Sequence, residues 1–529
     1  MIYDLFIIGG GINGCGIARD GAGRGLKVAL AEMGDLGHGT SSRSTKLFHG
    51  GLRYLEYFEL RLVAKALRER EVLLRAMPHI AWPMRFVLPL APDMRFDTTT
   101  PAAKLLARVM PWARGSRPNW LIRLGLFAYD SLGGRKILPA TRSLDMARDA
   151  AGVALQPRFA RAFEYSDVWV DDARLVALNA RDAALKGAEI MVQTRVTRAQ
   201  RIGGLWEVAT DGPMGPQTHR ARALINAGGP WVMGVFGEAV GQNSRASVRL
   251  VRGSHIVTRR LFAHDRAYFL QGSDGRIMFM IPYEQDFTLI GTTDVDHPGD
   301  ADAAVCSEVE CDYMIDFVNK YLKKPITAAE VVWSYSGVRP LYDDGAKDAQ
   351  SLTRDYVLAL DDTAPIGTAP LLNIFGGKIT TYRKLAEEVL DKLVPLMTMA
   401  PLTAVGPAWT AGAPLPGGDF THDSVAALTA DLQARYAFLT PAWAARLIRA
   451  YGTDADMMLG GAKTAADLGT DFGADLTQAE LRWLVTHEFA RTADDVVWRR
   501  SKLGLRLTPP QIAALDAAML DMQRAPIRV

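Results

Sequence analysis

Hydrophobic and polar positions alternate along the chain with two periods, and the change of period marks its divisions. Leu5 to Ile8 is an unbroken apolar run of strand type, Cys15 to Gly23 mixes small and polar residues as a first helix does, and Leu26 to Ala31 is a second buried strand ending in Glu32. Residues 172–186 carry a helical pattern, followed by the strand-like "EIMVQTRVTRAQRI" and the apolar "RALINAGG". "LLNIFGGKITTYRKLAEEVLDKL" (371–393) repeats the order strand, Gly-Gly, helix. Runs such as "RIMFMIPYEQDFTLIGTTD" alternate with period two and predict an antiparallel sheet.

These patterns predict an α/β chain with a discontinuous nucleotide-binding domain over 1–85, 165–235 and 341–395. An antiparallel β-sheet substrate domain takes 86–164 and 236–340. A Pro/Gly-rich linker (396–418) leads to a C-terminal helical domain (419–529), a cap or dimer element, with Thr440-Pro441 and Thr508-Pro509 as helix starts. Composition leaves this picture intact: 529 residues, 49% hydrophobic and 22% charged, suit a folded protein of several domains. The balance of 61 basic against 58 acidic side chains gives no field that would draw in nucleic acid. Cys15, Cys306 and Cys311 form neither a disulfide framework nor a Cys-x-x-Cys pattern, which fits a reducing cytoplasm. The N-terminus reads as lacking a leader, and no apolar run approaches the ~20 residues that span a bilayer.

The chemistry begins in "FIIGGGINGCGIARDGAGRG" (6–25). Gly9-x-Gly11-x-x-Gly14 follows a strand and opens a helix. Gly9 allows the tight turn, Gly11 lets backbone approach a pyrophosphate, Gly14 permits close helix packing, and Glu32 accepts from a ribose hydroxyl. An acid at 32 disfavours NADP and leaves NAD and FAD level. The next segment, "GTSSRSTKLFHGGLRYLEYFELRLVAKALREREVLL" (39–74), replaces a plain βα unit with a Ser/Thr cluster, a Lys, a His and a Gly-Gly turn ahead of a long amphipathic helix. It reads as an elaborated active-site loop.

At "SSRSTKLFHGGLRYL" (41–55) the chain resembles the FAD-dependent glycerol-3-phosphate dehydrogenases, the aerobic respiratory type within the D-amino-acid oxidase and glycine oxidase-like flavoproteins. The resemblance recurs in "YSDVWVDDARLV" (165–176), "ALINAGGPWV" (223–232), "VRGSHIV" (251–257), "LIGTTDV" (289–295), "WSYSGVRPL" (333–341), "TRDY" (353–356), "FGGKITTYRKLAE" (375–387) and "ADDVVWRRSKLGL" (493–505). It implies a Rossmann-like domain binding FAD non-covalently, the substrate sn-glycerol 3-phosphate, the product dihydroxyacetone phosphate, and membrane quinone as acceptor. Oxygen as acceptor is the alternative within the same fold. A flavin-binding protein of another class, sharing only the dinucleotide domain, is the alternative outside it.

Oxidising a secondary alcohol on a flavin requires a proton acceptor, a group that stabilises developing alkoxide, and cations for the substrate's phosphate. The resemblance puts His255 near the substrate as proton acceptor, with His49 beside the flavin. Arg339 suits alkoxide stabilisation, because a guanidinium is a poor base. Arg53, Arg339 and Arg354 lie among glycine, proline or aromatic residues, as phosphate-binding guanidinium groups do. Tyr54 and Thr292 offer hydroxyls, and Lys378 a charge for phosphate or for the reduced flavin. The cofactor set expected is Gly9, Gly10, Gly11, Asn13, Gly14, Glu32, Thr40, Ser41, Ser42, Lys46, Val196, Ala227, Gly228, Gly376, Gly377, Lys378, Ile379 and Thr380.

No metal site is expected. "HEFAR" (487–491) has Arg491 where a zinc motif needs a second His, and reads as ordinary helix. In 104–127 the basic Lys104, Arg108, Arg114, Arg117 and Arg123 interleave with Trp112, Trp120 and Phe127 and with no acid, as an interfacial anchor does. The resulting expectation is a peripheral protein on the cytoplasmic face of the inner membrane. A homodimer is compatible with it.

Overall fold

The computed structural model describes residues 1–90, 119–241, 247–272, 276–343, 355–361, 368–397 and 405–524, together with the single positions 101, 104 and 108; the side chains of 53 and 524 are not described. Arg354, Trp112, Arg114 and Arg117 therefore lie outside the described residues, as does the side chain of Arg53.

Two sheets form among the described residues. The first runs Val357–Leu360, Leu371–Phe375, Gln217–Asn226, Ile2–Ile8, Val28–Ala31, Glu189–Met191, and the antiparallel strands Arg195–Ile202 and Leu205–Asp211 extend it beside Gln217–Asn226. Its centre is parallel, with Leu5 opposite Val28 and Leu224 opposite both Phe6 and Leu371. A parallel strand covered on both faces needs apolar residues throughout, which is why Leu5 to Ile8 is unbroken. Leu5 and Ile7 pack with the helices Ile12–Gly23, Asp172–Leu185 and Tyr382–Leu393, while Phe6 and Ile8 pack with Trp206 and Val208. These are the helices anticipated from the sequence, and this is the Rossmann-like layer.

The second sheet has ten strands, from Val295–Asp296 through Val248–Arg259, Phe287–Gly291, Ile277–Tyr283, Ala267–Gln271, Ala81–Leu90 and Arg161–Val170 to Leu47–Phe48, with Val331–Tyr342 on Val248–Arg259 and Arg142–Asp145 on Arg161–Val170. One pairing breaks the antiparallel pattern: Ala267–Gln271 runs parallel to Ala81–Leu90. The boundaries expected at 85, 165 and 340 fall inside strands 81–90, 161–170 and 331–342, because whole strands belong to this sheet. "EIMVQTRVTRAQRI" is two strands, broken where Gln193 takes a left-handed conformation.

Helices Val425–Arg435, Pro441–Tyr451, Asp454–Leu459, Gln478–His487 and Pro509–Arg524 share a core that includes Leu432, Leu447, Leu481, Leu484, Val497 and Leu515. Thr440 caps the second, accepting from the Trp443 amide at 3.1 Å ahead of Pro441. Two readings are corrected. Residues 405–418 are packed chain and not a free linker: Trp409 donates to the Asp20 carbonyl at 3.2 Å, and Leu415 joins the core of the first sheet. "HEFAR" leaves the helix at His487, since Glu488 is drawn into a buried ion pair with Arg174 and Phe489 turns left-handed.

Candidate active site

The parallel strands end in a cleft of about 390 Å³ that continues across the face of the second sheet. Its nucleotide end is made of backbone. Gly9 has φ +109°, and a Cβ at Gly14 would stand 1.9 Å from the Gly9 carbonyl oxygen, so turn and helix close only with glycine at both. The helix opens at Gly11 with no side-chain cap of its own; the Ile12 amide donates to Ser41 Oγ at 3.0 Å. Glu32 accepts from the amides of Gly10 (2.6 Å) and Gly34 (2.8 Å), while burial raises its pKa above the ordinary carboxylate value. Asn13 Oδ1 is buried with no hydrogen-bond partner, although its Nδ2 reaches the Gly376 carbonyl at 3.3 Å. A helix N-terminus whose Gly11 offers no side-chain cap, a bare glycine turn and an orphaned amide oxygen on one wall fit a dinucleotide's diphosphate and hydroxyl groups.

The other end is made of side chains from distant segments. His49, Tyr54, Thr292, Arg339 and Lys378 all line the cleft. Arg339 donates to Asp294, and at 3.3 Å to Thr292 Oγ1. Lys378 Nζ stands 4.0 Å from the centre of the Tyr54 ring. The His49 turn is held from below: the Gly50 amide donates to Tyr129 Oη at 2.7 Å, Tyr129 donates to Asp167, and Arg70 pairs with Asp167. Burial pushes Asp167 up to about 6 against the pull of Arg70. Around the whole cleft, four cations (Arg43, Arg195, Arg339, Lys378) face two carboxylates (Glu32, Asp355), which favours an anionic ligand.

Gly9, Gly11, Asn13, Glu32, Thr40, Ser41, Val196, Ala227, Gly228, Gly376, Gly377, Ile379 and Thr380 also line this cleft. Gly10 and Gly14 act one layer back, through the Glu32 bond and the helix approach. Lys46 and Ser42 are not among the residues that line the cleft. Lys46 is 1% exposed, its Nζ 2.7 Å from Asp172 and 3.1 Å from the Ser42 carbonyl, so its charge is spent on a buried ion pair. His255 is also set back. Its ring lies over the bare Cα of Gly291 and stacks on Tyr335 at 4.8 Å, with Nε2 3.0 Å from Thr45 Oγ1. Burial, then the charges of Arg339 and Lys46, hold its pKa well below the usual 6.5, so the imidazole is neutral.

Sequence reasoning missed Thr45, Arg43 and Asp294. Thr45, which lines the cleft, is the hydroxyl between it and His255. Arg43 lines it too, donating at 3.3 Å to the Ser336 carbonyl; burial, then the Arg499 charge, lower its pKa from the ordinary guanidinium value. Both lie inside the block 41–55, where their neighbours took the attention. Among the described residues no group of His, Cys, Asp and Glu could hold a metal ion, and no helix is long and apolar enough to cross a membrane.

A family described as "FAD dependent oxidoreductase" matches residues 4–383, and the "C-terminal domain of alpha-glycerophosphate oxidase" matches 408–525. The D-erythritol 1-phosphate dehydrogenase of Brucella abortus is 48% identical, covering 97% of this chain and 96% of that one. The aerobic glycerol-3-phosphate dehydrogenase of Escherichia coli is 48% identical, covering 98% and 97%. The crystal structure of a glycerol-3-phosphate dehydrogenase from Bacillus halodurans complexed with FAD shares the fold, with TM-score 0.71 and 24% identity over 98% of this chain and 90% of that one. The chain belongs to the FAD-dependent oxidoreductase family, and FAD is its cofactor.

Proposed function

We propose that this FAD-dependent oxidoreductase oxidises sn-glycerol 3-phosphate to dihydroxyacetone phosphate and passes the electrons to membrane quinone. One observation carries the reading: His49, Tyr54, Thr292, Arg339 and Lys378 line the same cleft as the dinucleotide glycines. The curated relatives named glycerol-3-phosphate dehydrogenase support it over nearly the full chain.

Bound FAD supplies the hydride acceptor. The chain supplies position and charge. Lys378 and Arg339, with Arg53 and Arg354 as further phosphate ligands, hold the dianionic end of the substrate. Tyr54 and Thr292 orient its hydroxyls. Thr45 Oγ1 takes the hydroxyl proton and relays it to His255 Nε2, 3.0 Å behind it, where the imidazole is neutral and able to accept. Arg339 offsets the charge that develops on the oxygen, and His49 orders the turn beside the flavin. Along the nucleotide end, Glu32 accepts from ribose, and Gly11, Asn13, Ser41, Gly228 and Gly376 to Thr380 hold the remainder.

A membrane-surface contact through 104–127 is part of the proposal. In its described portion, Trp120, Leu124 and Phe127 are 54%, 55% and 68% exposed on one face of the helix Asn119–Leu132, and Phe58, which ends the turn Leu52–Tyr57, is exposed as well. Apolar residues at spacing three and four beside Arg123 suit an interfacial helix on the cytoplasmic leaflet. A second reading keeps the site and changes the substrate to a four-carbon alditol phosphate; the 48% identity to a D-erythritol 1-phosphate dehydrogenase favours it. Steady-state turnover with a short-chain quinone decides among these. The expected result is a kcat/KM at least tenfold higher for glycerol 3-phosphate than for erythritol 1-phosphate, with little peroxide formed in air. The reverse order would select the tetritol substrate, and peroxide matching turnover would select oxygen.

A further inference from the structure

The block 493–505, distant in sequence from every residue placed in the cleft, lies in the helical unit and yet reaches the nucleotide loop. Arg500 is wholly buried and forks onto Asp35, with Nη1 2.8 Å from Oδ2 and Nη2 2.7 Å from Oδ1. Arg499 Nε donates to the same carboxylate and its Nη2 to Asp495. Arg500 also donates to the Glu488 carbonyl, and Glu488 pairs through both oxygens with Arg174 at 2.8 Å. Asp35 belongs to the turn that follows Glu32. The His38 amide donates to the Asp35 carbonyl at 3.0 Å, the Gly37 amide to the Gly10 carbonyl at 2.9 Å, and the Gly34 amide to Glu32 Oε1 at 2.8 Å. Glu32, Met33 and His38 line the cleft, so moving Asp35 moves the wall on which the adenosine half of the cofactor must rest.

We propose that Arg499 and Arg500 are positioning residues for FAD: the helical unit clamps Asp35 and thereby fixes the 32–38 turn that orients the Glu32 carboxylate. The inference rests on the placement of FAD in this cleft. A planar fork matched to one carboxylate is a geometry that lysine does not reproduce, which makes Arg500→Lys the informative change. Arg446 is the control. It forks onto Glu480 at 2.7 Å, is mostly buried, and pairs within the helical unit away from the cleft.

The test is FAD titration of the apoprotein followed by flavin fluorescence, with Arg500→Lys and Arg446→Lys beside the unaltered chain. Arg500→Lys is expected to raise the Kd for FAD at least tenfold while the KM for glycerol 3-phosphate at saturating FAD stays within twofold. Arg446→Lys is expected to lower thermal stability and leave the FAD Kd within twofold. Should Arg500→Lys not accumulate as folded protein, Arg499→Gln, at the edge of the clamp, is expected to raise Kd about threefold. An unchanged Kd in the variant measured, or an equal rise in Arg446→Lys, would overturn the clamp. Failure of the unaltered apoprotein to bind FAD would instead overturn the cofactor placement.

Discussion

The two ends of the cleft are built from different material. The nucleotide end is backbone: amides of two turns and one helix start, a carboxylate held by one amide from each turn, and glycines that admit no Cβ. The end proposed for the substrate is side chains of Thr45, His49, Tyr54, Thr292, Arg339 and Lys378, with His255 behind Thr45, on strands and turns far apart in sequence. A backbone site needs consecutive residues and leaves a local spacing. A side-chain site needs only convergence in space, so it leaves scattered signs. The difference also separates binding from chemistry, since damage at one end should spare the work of the other.

The largest effect expected from breaking this comparison is at Gly14. A side chain there would enter the Gly9 carbonyl, at 1.9 Å for Cβ alone. Gly14→Val should retain no FAD through gel filtration, a loss of more than about 100-fold in affinity, or about 3 kcal/mol. At the other end, Arg339→Ala should keep its full flavin content and lose about 100-fold in kcat/KM, near the upper end of the ~1.5–3 kcal/mol typical of hydrogen bonds to charged groups. Because that change also removes the ion pair between Arg339 and Asp294, Arg339→Ala with Asp294→Asn isolates the effect on the substrate. A comparable loss of flavin in this variant would erase the distinction between the ends.

The smallest effect concerns pH. His255 is held well below its ordinary value of 6.5 by burial and by neighbouring cations, so it gains a proton only at pH well under 6.5. A base must be unprotonated to act, so kcat/KM should stay level as pH falls through 6.5 and drop only further into acid. A limb centred near 6.5 would move the proton acceptor to an unshifted group.

Legibility in the sequence follows the same division. Strand, Gly9-x-Gly11-x-x-Gly14, helix and Glu32 were readable because each obeys a local rule of backbone conformation. At that point NAD and FAD stood level. His49, Tyr54, Thr292, Arg339 and Lys378 entered through resemblance of blocks, since no spacing rule joins residues on different strands. Nothing local to Lys46 reveals its partner, and only the fold shows Asp172 paired with it. His255 was placed at the substrate, but nothing local reveals that Thr45 stands in front of it. "HEFAR" read as helix because helical propensity carries no sign of Arg174, which draws Glu488 out from 314 residues away. The segment 396–418 read as a linker from its Pro/Gly content, while the burial of Thr410 and Leu415 depends on surfaces elsewhere in the chain.

The most direct measurement is the absorption spectrum of the holoprotein mixed with glycerol 3-phosphate in the absence of oxygen. The account predicts that the flavin band near 450 nm bleaches in the unaltered chain, and that Arg339→Ala, with the same flavin content, bleaches about 100-fold more slowly at low substrate. A band that persists in the unaltered chain under saturating glycerol 3-phosphate would contradict it.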